Sequence, residues 1–245
     1  MKKLIIALMF ALPAAVMAAG AGPKLEHANI DLSDKASLQR GAKLFVNYCL
    51  SCHSAAYQRY NRMGRDIGLT DAQVAENLMF AGDKVGETMT IAMPQADAKR
   101  WFGNPPPDLS VITRARGVDY IYTYLKTFYI DEKRPFGVNN AVFPDVGMPH
   151  VLWELEGLKK AIHKTEIDHD GNEKTVIAGY EMVKPGSMTE VEYDQAARDL
   201  TAFLTYTGEP VKLERQRLGV WVLLFLAIFF VFAYALKKEY WKDIH

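Results

Sequence analysis

One apolar stretch stands apart from the alternating remainder of the chain. Leu218 to Leu236 runs for 19 residues without a charge and is rich in Leu, Phe and Val. As a helix it would cover roughly 28 Å, close to the hydrocarbon thickness of a bilayer. A buried globular helix is rarely apolar on every face for so long. Trp221 lies near one end and Tyr240-Trp241 beyond the other, as interfacial aromatics do. The pattern predicts one transmembrane anchor over 213–236 and a short tail over 237–245. A second apolar run, Leu4 to Val16, is too short to span. The basic Met1-Lys2-Lys3 before it and the small residues around Ala18 after it predict a signal peptide over 1–18, cleaved after Ala18 or Ala19.

Between these ends the periodicity is helical and broken by loops. Leu38, Ala42, Phe45 and Cys49 recur every three or four positions, which predicts an amphipathic helix capped by Ser33 or Ser37. Gly41 on that helix either admits a close backbone neighbour or is merely tolerated. Ala55 to Arg65 shows no clear period. Thr70-x-x-Gln73 is a capping box, and it predicts a helix of about three turns through Val74, Leu78 and Met79, stopped at Gly82. Gly86 to Pro107 reads as loop, ending in a stiff corner at Asn104-Pro105-Pro106-Pro107-Asp108. Val118, Ile121, Tyr124, Leu125 and Phe128 mark another helix, followed by a loop from Arg134 to Pro149. Two β-prone runs, Ala161–Ile167 and Lys174–Ile177, flank Asp168-His169-Asp170-Gly171-Asn172 and predict a surface hairpin. The alternating ligands and terminal Glu of a calcium loop are missing there. Thr189-x-x-Glu192 opens a helix through Ala196, Leu200 and Leu204 that stops at Gly208 and Pro210, and Val211 to Arg217 reads as a polar link.

Composition narrows the function classes. The 29 basic residues balance 29 acidic ones, so there is no electrostatic footprint for nucleic acid. Basic residues flank both ends of the apolar span, so the signal peptide alone sets the orientation, with the domain over 19–212 outside and the tail inside. The fold class is mainly α, a loop-rich domain with a small β-hairpin plus one C-terminal transmembrane helix.

The chemistry lies at Cys49-Leu50-Ser51-Cys52-His53. These are the only two cysteines, and C-x-x-C-H is the attachment pattern of a covalent haem of the c type. Each thiol adds to one vinyl group, and the His53 imidazole becomes the proximal iron ligand. A zinc site would need a second Cys/His pair at ligand spacing. A thioredoxin-like pair would follow a strand, whereas a helix precedes Cys49. A closed iron needs a second axial ligand. Outside the signal peptide stand Met63, Met79, Met89, Met93, Met148, Met182 and Met188. Met93 and Met148 each precede a proline on a loop, which stiffens the ligand's backbone. Spacing leaves that choice open, with His150 the competing histidine and His27, His163, His169 and His245 read as surface residues.

Several separated pieces together resemble the cytochrome c1 family, the haem subunits of ubiquinol–cytochrome c oxidoreductase (cytochrome bc1) complexes. They are the C-x-x-C-H motif, Pro106-Pro107-Asp108-Leu109-Ser110 with Arg114-Ala115-Arg116, Phe143-Pro144-x-x-Gly147-Met148-Pro149, and the single span near the C-terminus. The resemblance implies a periplasmic c-type haem domain on a bacterial inner membrane, carrying one haem c through Cys49 and Cys52. It implies that Met148 is the distal ligand, that Pro106 and Pro107 pack on the haem, and that Arg116 and Tyr120 bind a propionate. It implies cytochrome b, a Rieske iron–sulfur protein and a soluble c-type cytochrome as partners, and no catalysis by the chain alone. Glu154 and Glu156 are expected on a docking face or in a solvated loop. A strongly acidic insertion found in some members is missing, which weakens the steering of a basic partner. The rival readings are an anchored cytochrome feeding a terminal oxidase or nitric oxide reductase, and a haem sensor or peroxidase with an open iron position.

Overall fold

A computed structural model describes residues 24–167 and 171–242. The expected signal peptide and the His169 turn lie outside the described residues. Helix α1 (Lys35–Leu44) begins where the Asp34 carboxylate accepts the Ser37 N–H, so the cap is Asp34 and neither serine. Its buried face is Ser37, Leu38, Gly41 and Ala42. It runs on through a wide π-helical turn, Phe45–Cys49, in which the Leu50 N–H reaches back to the Phe45 carbonyl at 2.9 Å. The segment after His53, which shows no period in sequence, forms β1 (Ala55–Arg59) and α2 (Tyr60–Ile67). The Thr70–Gln73 box opens α3 (Asp71–Asn77), two turns rather than three, which stops at Leu78 before Gly82 is reached. The region 86–107 is not all loop, since it holds β2 (Thr88–Met89) and α4 (Gln95–Phe102).

Helices α5 (Ile112–Arg116) and α6 (Val118–Lys126) follow the proline corner. The loop after α6 contains β3 (Phe128–Ile130) and β4 (Val138–Asn140). After the single turn α7 (Trp153–Glu156) comes a long antiparallel ribbon, β5 (Gly157–Ile167) with β6 (Glu173–Pro185), longer at its root than the two β-prone runs suggest. Among the described residues there are three two-stranded antiparallel sheets: β1 with β2, β3 with β4, and β5 with β6.

Helix α8 (Glu190–Gly208), opened by the expected Thr189–Glu192 box, is the axis of the core; from Ala196 on it is buried almost continuously. Helices α1, α5 and α6 pack on it. Gly41 is where α1 meets α8, since a Cβ there would stand 2.1 Å from the Asp199 carbonyl oxygen. The close approach is therefore what this glycine serves. Beside the crossing, the Phe45 and Phe203 rings meet at 5.5 Å. Both are fully buried, and burial of each stabilises the fold by roughly 2–3 kcal/mol. Asp199 is buried yet satisfied, accepting from Arg40 Nε at 2.6 Å and Ser37 Oγ at 2.6 Å. The extended segment before α1 lies against α6, with the Ala28 N–H donating to Asp119 at 2.9 Å.

The polar residues from Lys212 to Arg217 do not form a link. They are the first turns of α9 (Lys212–Tyr240), a continuous helix of 29 residues in which no side chain is buried. It is long and apolar enough to cross a membrane.

Candidate haem cleft

The C-x-x-C-H motif leaves the π-helical turn as a tight hook. The N–H groups of Cys52 and His53 both donate to the Cys49 carbonyl, at 3.0 and 2.8 Å. Both thiols are free; Cys49 is buried and Cys52 half-buried. Burial, with Cys52 as a second cause, pushes the Cys49 thiol up to about 12, so it stays protonated at neutral pH. The His53 ring is fixed by its Nδ1, which lies 2.7 Å from the Pro107 carbonyl oxygen. A carbonyl only accepts, so Nδ1 carries the proton and Nε2 keeps its lone pair for a metal. Burial lowers the basicity of His53 and outweighs the opposing effects of Pro107 and Asp108. A neutral imidazole results, as a ligand must be.

The proline corner is stitched to the strand that follows the motif. The Leu109 N–H donates to the Ser54 carbonyl at 2.8 Å, the Ala56 N–H to Asp108 at 2.9 Å, and the Tyr57 N–H to Ser110 Oγ at 3.1 Å. Asp108 also accepts the Ser110 N–H at 2.8 Å, closing a local turn. Pro105, Pro106 and Pro107 have no N–H to satisfy, so they line an apolar wall without leaving a stranded donor.

Between this corner and the loop carrying Met148 lies an apolar cleft of about 420 Å³, the size of a cofactor pocket. It brings together all eight residues expected from the sequence: Cys49, Cys52, His53, Pro106, Pro107, Arg116, Tyr120 and Met148. Arg116, at the end of α5, is exposed at the rim, with its guanidinium carbon 5.8 Å from the Tyr120 ring centre. Arg114 is not among the lining residues; its side chain lies by Gly208. These residues fit a haem. The walls are apolar, a free imidazole nitrogen and a thioether are available for the iron, two thiols for the vinyl groups, and a guanidinium for a propionate.

The other methionines fall elsewhere. Met63 and Met89 are fully buried in the core, Met79 and Met188 pack against it, and Met182 is exposed on the ribbon. Met93, the alternative left open by spacing, does not line the cleft. His150 is buried outside it, stacked on Phe128 at 4.9 Å with its Nε2 2.8 Å from Glu156 Oε2. Glu156 is neither on a docking face nor in a solvated loop. It is buried at 8% side-chain exposure and paired with Lys159, because the turn α7 directs it inward, toward the Lys159 ammonium and the His150 ring. Glu154 is exposed.

Sequence reasoning missed Tyr124, whose hydroxyl donates to Met148 Sδ at 3.2 Å. Burial pushes its phenol well above the ordinary value, so it remains a donor. A signal was available: Tyr120 and Tyr124 are one helical turn apart, and their rings stack at 6.4 Å on one face of α6.

Comparison with known proteins bears on this arrangement. The profile described as the Cytochrome C1 family matches residues 27–244. The chain is 52% identical over 246 residues to a protein named cytochrome c1 from Allochromatium vinosum, covering all of both. It is 46% identical over 244 residues to one named ammonia monooxygenase gamma subunit from Nitrosomonas europaea, covering 100% of this chain and 98% of that one. It is 26% identical over 243 residues to a cytochrome c1 of Rhodospirillum rubrum, covering 86% and 83%.

Proposed function

Because the chain belongs to the cytochrome C1 family, we propose that it takes electrons one at a time from a Rieske iron–sulfur protein and passes them to a soluble c-type cytochrome. Members of this family carry one covalent haem c and serve as electron-transfer subunits of the bc1 complex, anchored in a membrane. The finer assignments are ours. Cys49 and Cys52 hold the haem as thioethers, His53 Nε2 is the proximal ligand, and Met148 Sδ is the distal one. Pro106 and Pro107 cover a haem face, and Arg116 with Tyr120 receives a propionate.

The observation that carries this reading is the shared cleft: a neutral imidazole fixed through Nδ1 and one thioether, out of seven methionines among the described residues, line the same apolar space. When bound, the haem supplies a one-electron iron couple, and thioether ligation favours its reduced form. The chain's part is to hold both ligands in place, exclude water with the proline corner and Val146, and fix the ring of His53 through Pro107. No substrate bond is broken in such a subunit, so the chain alone has no turnover. The signal peptide expected at 1–18 and the anchor expected over 213–236 support a haem domain in the periplasm and a tail at 237–245 in the cytoplasm. Cytochrome b is then the neighbour within the membrane.

Met148→Ala tests the ligation. The unaltered chain gives a low-spin spectrum with a near-infrared Met–Fe charge-transfer band, and the variant loses that band. An unchanged spectrum in the variant would falsify the assignment. Gentle detergent purification tests the partners, since a cytochrome b and a Rieske protein should accompany the chain. A second reading follows from the relative in Nitrosomonas europaea, whose name makes it a subunit of a monooxygenase. In that reading the same cleft would serve an electron path to a membrane oxygenase, and co-purification of an oxygenase in place of cytochrome b would favour it.

A further inference from the structure

The Tyr124 hydroxyl belongs to a residue that lines the cleft. It donates to the sulfur of Met148 at 3.2 Å, and a thioether is a weak acceptor for which a buried phenol has little reason to settle. Its ring is held on both sides. Tyr120 stacks on it with planes 13° apart, and the Phe128 ring meets it edge-on at 5.2 Å and 77°. Phe128 is fixed in turn by the parallel His150 ring at 4.9 Å. The backbone beneath is tied as well, because the Tyr124 carbonyl accepts from Asn140 Nδ2 at 2.8 Å. Asn140 is fully buried, and its Oδ1 accepts the N–H groups of Val142 and Phe143 at 2.9 and 3.1 Å, at the start of the loop that leads to Met148. One buried asparagine thus joins the helix that presents the phenol to the loop that presents the sulfur.

We propose that Tyr124 is a positioning residue that sets the reduction potential of the haem iron by hydrogen bonding to the distal sulfur. This rests on Met148 being that ligand. The direction follows from the charges. A donor on the sulfur withdraws electron density from the lone pairs that would stabilise Fe(III). The positive end of the O–H dipole beside the iron also opposes the extra charge of the oxidised state. Both effects raise the potential. The hydrogen bond also selects one orientation of the thioether methyl group, because the sulfur lone pair used for Tyr124 is not available to the iron.

The test is Tyr124→Phe, which removes the hydroxyl and leaves the ring, in the haem-loaded chain within its native membranes. Redox titration of the haem band should give a lower midpoint potential than the unaltered chain. The Met–Fe charge-transfer band should persist but move in wavelength. Tyr122→Phe is the control: it removes a hydroxyl of the same helix that bonds to Asp194 and Lys126, and it should leave both readings where they were. An unmoved potential and band in Tyr124→Phe would overturn the proposal while leaving Met148 as ligand. Should Tyr124→Phe fail to accumulate, the unaltered chain decides. Exchange into D2O should move its Met–Fe band if the phenol is bonded to the sulfur, and a band indifferent to the exchange refutes the bond. A chain that never shows such a band points to the failure of the ligand assignment itself, which Met148→Ala detects separately.

Discussion

The Asp194 carboxylate gathers three donors: Lys126 Nζ at 2.7 Å, Arg198 Nε at 2.8 Å and the Tyr122 hydroxyl. Burial raises its pKa, but Lys126, Tyr122 and Arg198 together outweigh burial and hold the group at about 2. The folded value lies below the ordinary 3.8, so the stabilisation is complete above about pH 4 and disappears as pH falls through 2. Asp194→Asn should therefore lower the thermal midpoint at neutral pH, at a cost on the order of 1–2 kcal/mol, and that cost should shrink steadily as pH falls toward 2. Melting curves from pH 2 to 7 read this, and parallel curves for the two chains would contradict it. At this scale much of the site is legible in the sequence, because Cys49, Cys52 and His53 must be contiguous for the chemistry and are therefore contiguous in the chain. The partners that orient them are not. Pro107 reaches His53 through a backbone carbonyl that every residue possesses, and Tyr124 reaches Met148 across 24 positions. Glu156 looks like any surface carboxylate until the fold turns it toward His150 and Lys159.

Elements were legible where one face is apolar and a cap is written in side chains, as for α8 with its Thr189–Glu192 box and α6 with its period of Ile121, Tyr124 and Leu125. Helix α4 escaped because Ala98 is its single buried residue, too little to make a stripe. Helix α2 escaped although its buried Tyr60, Met63, Gly64 and Ile67 stand at helical spacing, because eight residues show that spacing only once and one of the four is a glycine. The start of α9 read as a link because polarity says where a helix leaves lipid, not where it ends. The ribbon of β5 and β6 shows which part of an element holds. Its root is pinned: a Cβ on Gly157 would lie 2.3 Å from the Lys184 carbonyl oxygen, and Lys159 donates to the Lys126 carbonyl at 2.6 Å while lying 4.6 Å from the Tyr180 ring centre. Further out the side chains of Lys164, Thr165, Glu166 and Ile167 are exposed. A two-stranded ribbon contributes little stability beyond its anchored end. Replacing residues 166–174 by Asn-Gly, which closes the Thr165–Thr175 pair with a tight turn, should leave the haem spectrum unaltered and stability within about 0.5 kcal/mol. Loss of haem on that excision would mean the outer ribbon supports the cleft.

Taken as a whole, the molecule divides between a helix with nothing buried and a core that takes no residue from it. Helix α9 has 29 residues, about 43 Å at 1.5 Å each, so more than a turn must extend past a hydrocarbon layer of about 30 Å. Its first turns are where that excess lies, with Arg215 Nε 2.5 Å from Glu209 Oε1 just before the helix. A chain ended after Val211 should keep its haem spectrum and leave the membrane fraction for the soluble one; retention with membranes would point to a second means of attachment. The core itself is assembled from distant pieces. Leu200 and Leu204, on α8, form part of the wall of the cleft whose thiols lie at 49 and 52. Synthesis from the N-terminus delivers that wall long after the thiols. On the export route proposed for the chain, the two thiols stay uncovered until Leu200 and Leu204 have followed them, and α8 then shuts the door behind them.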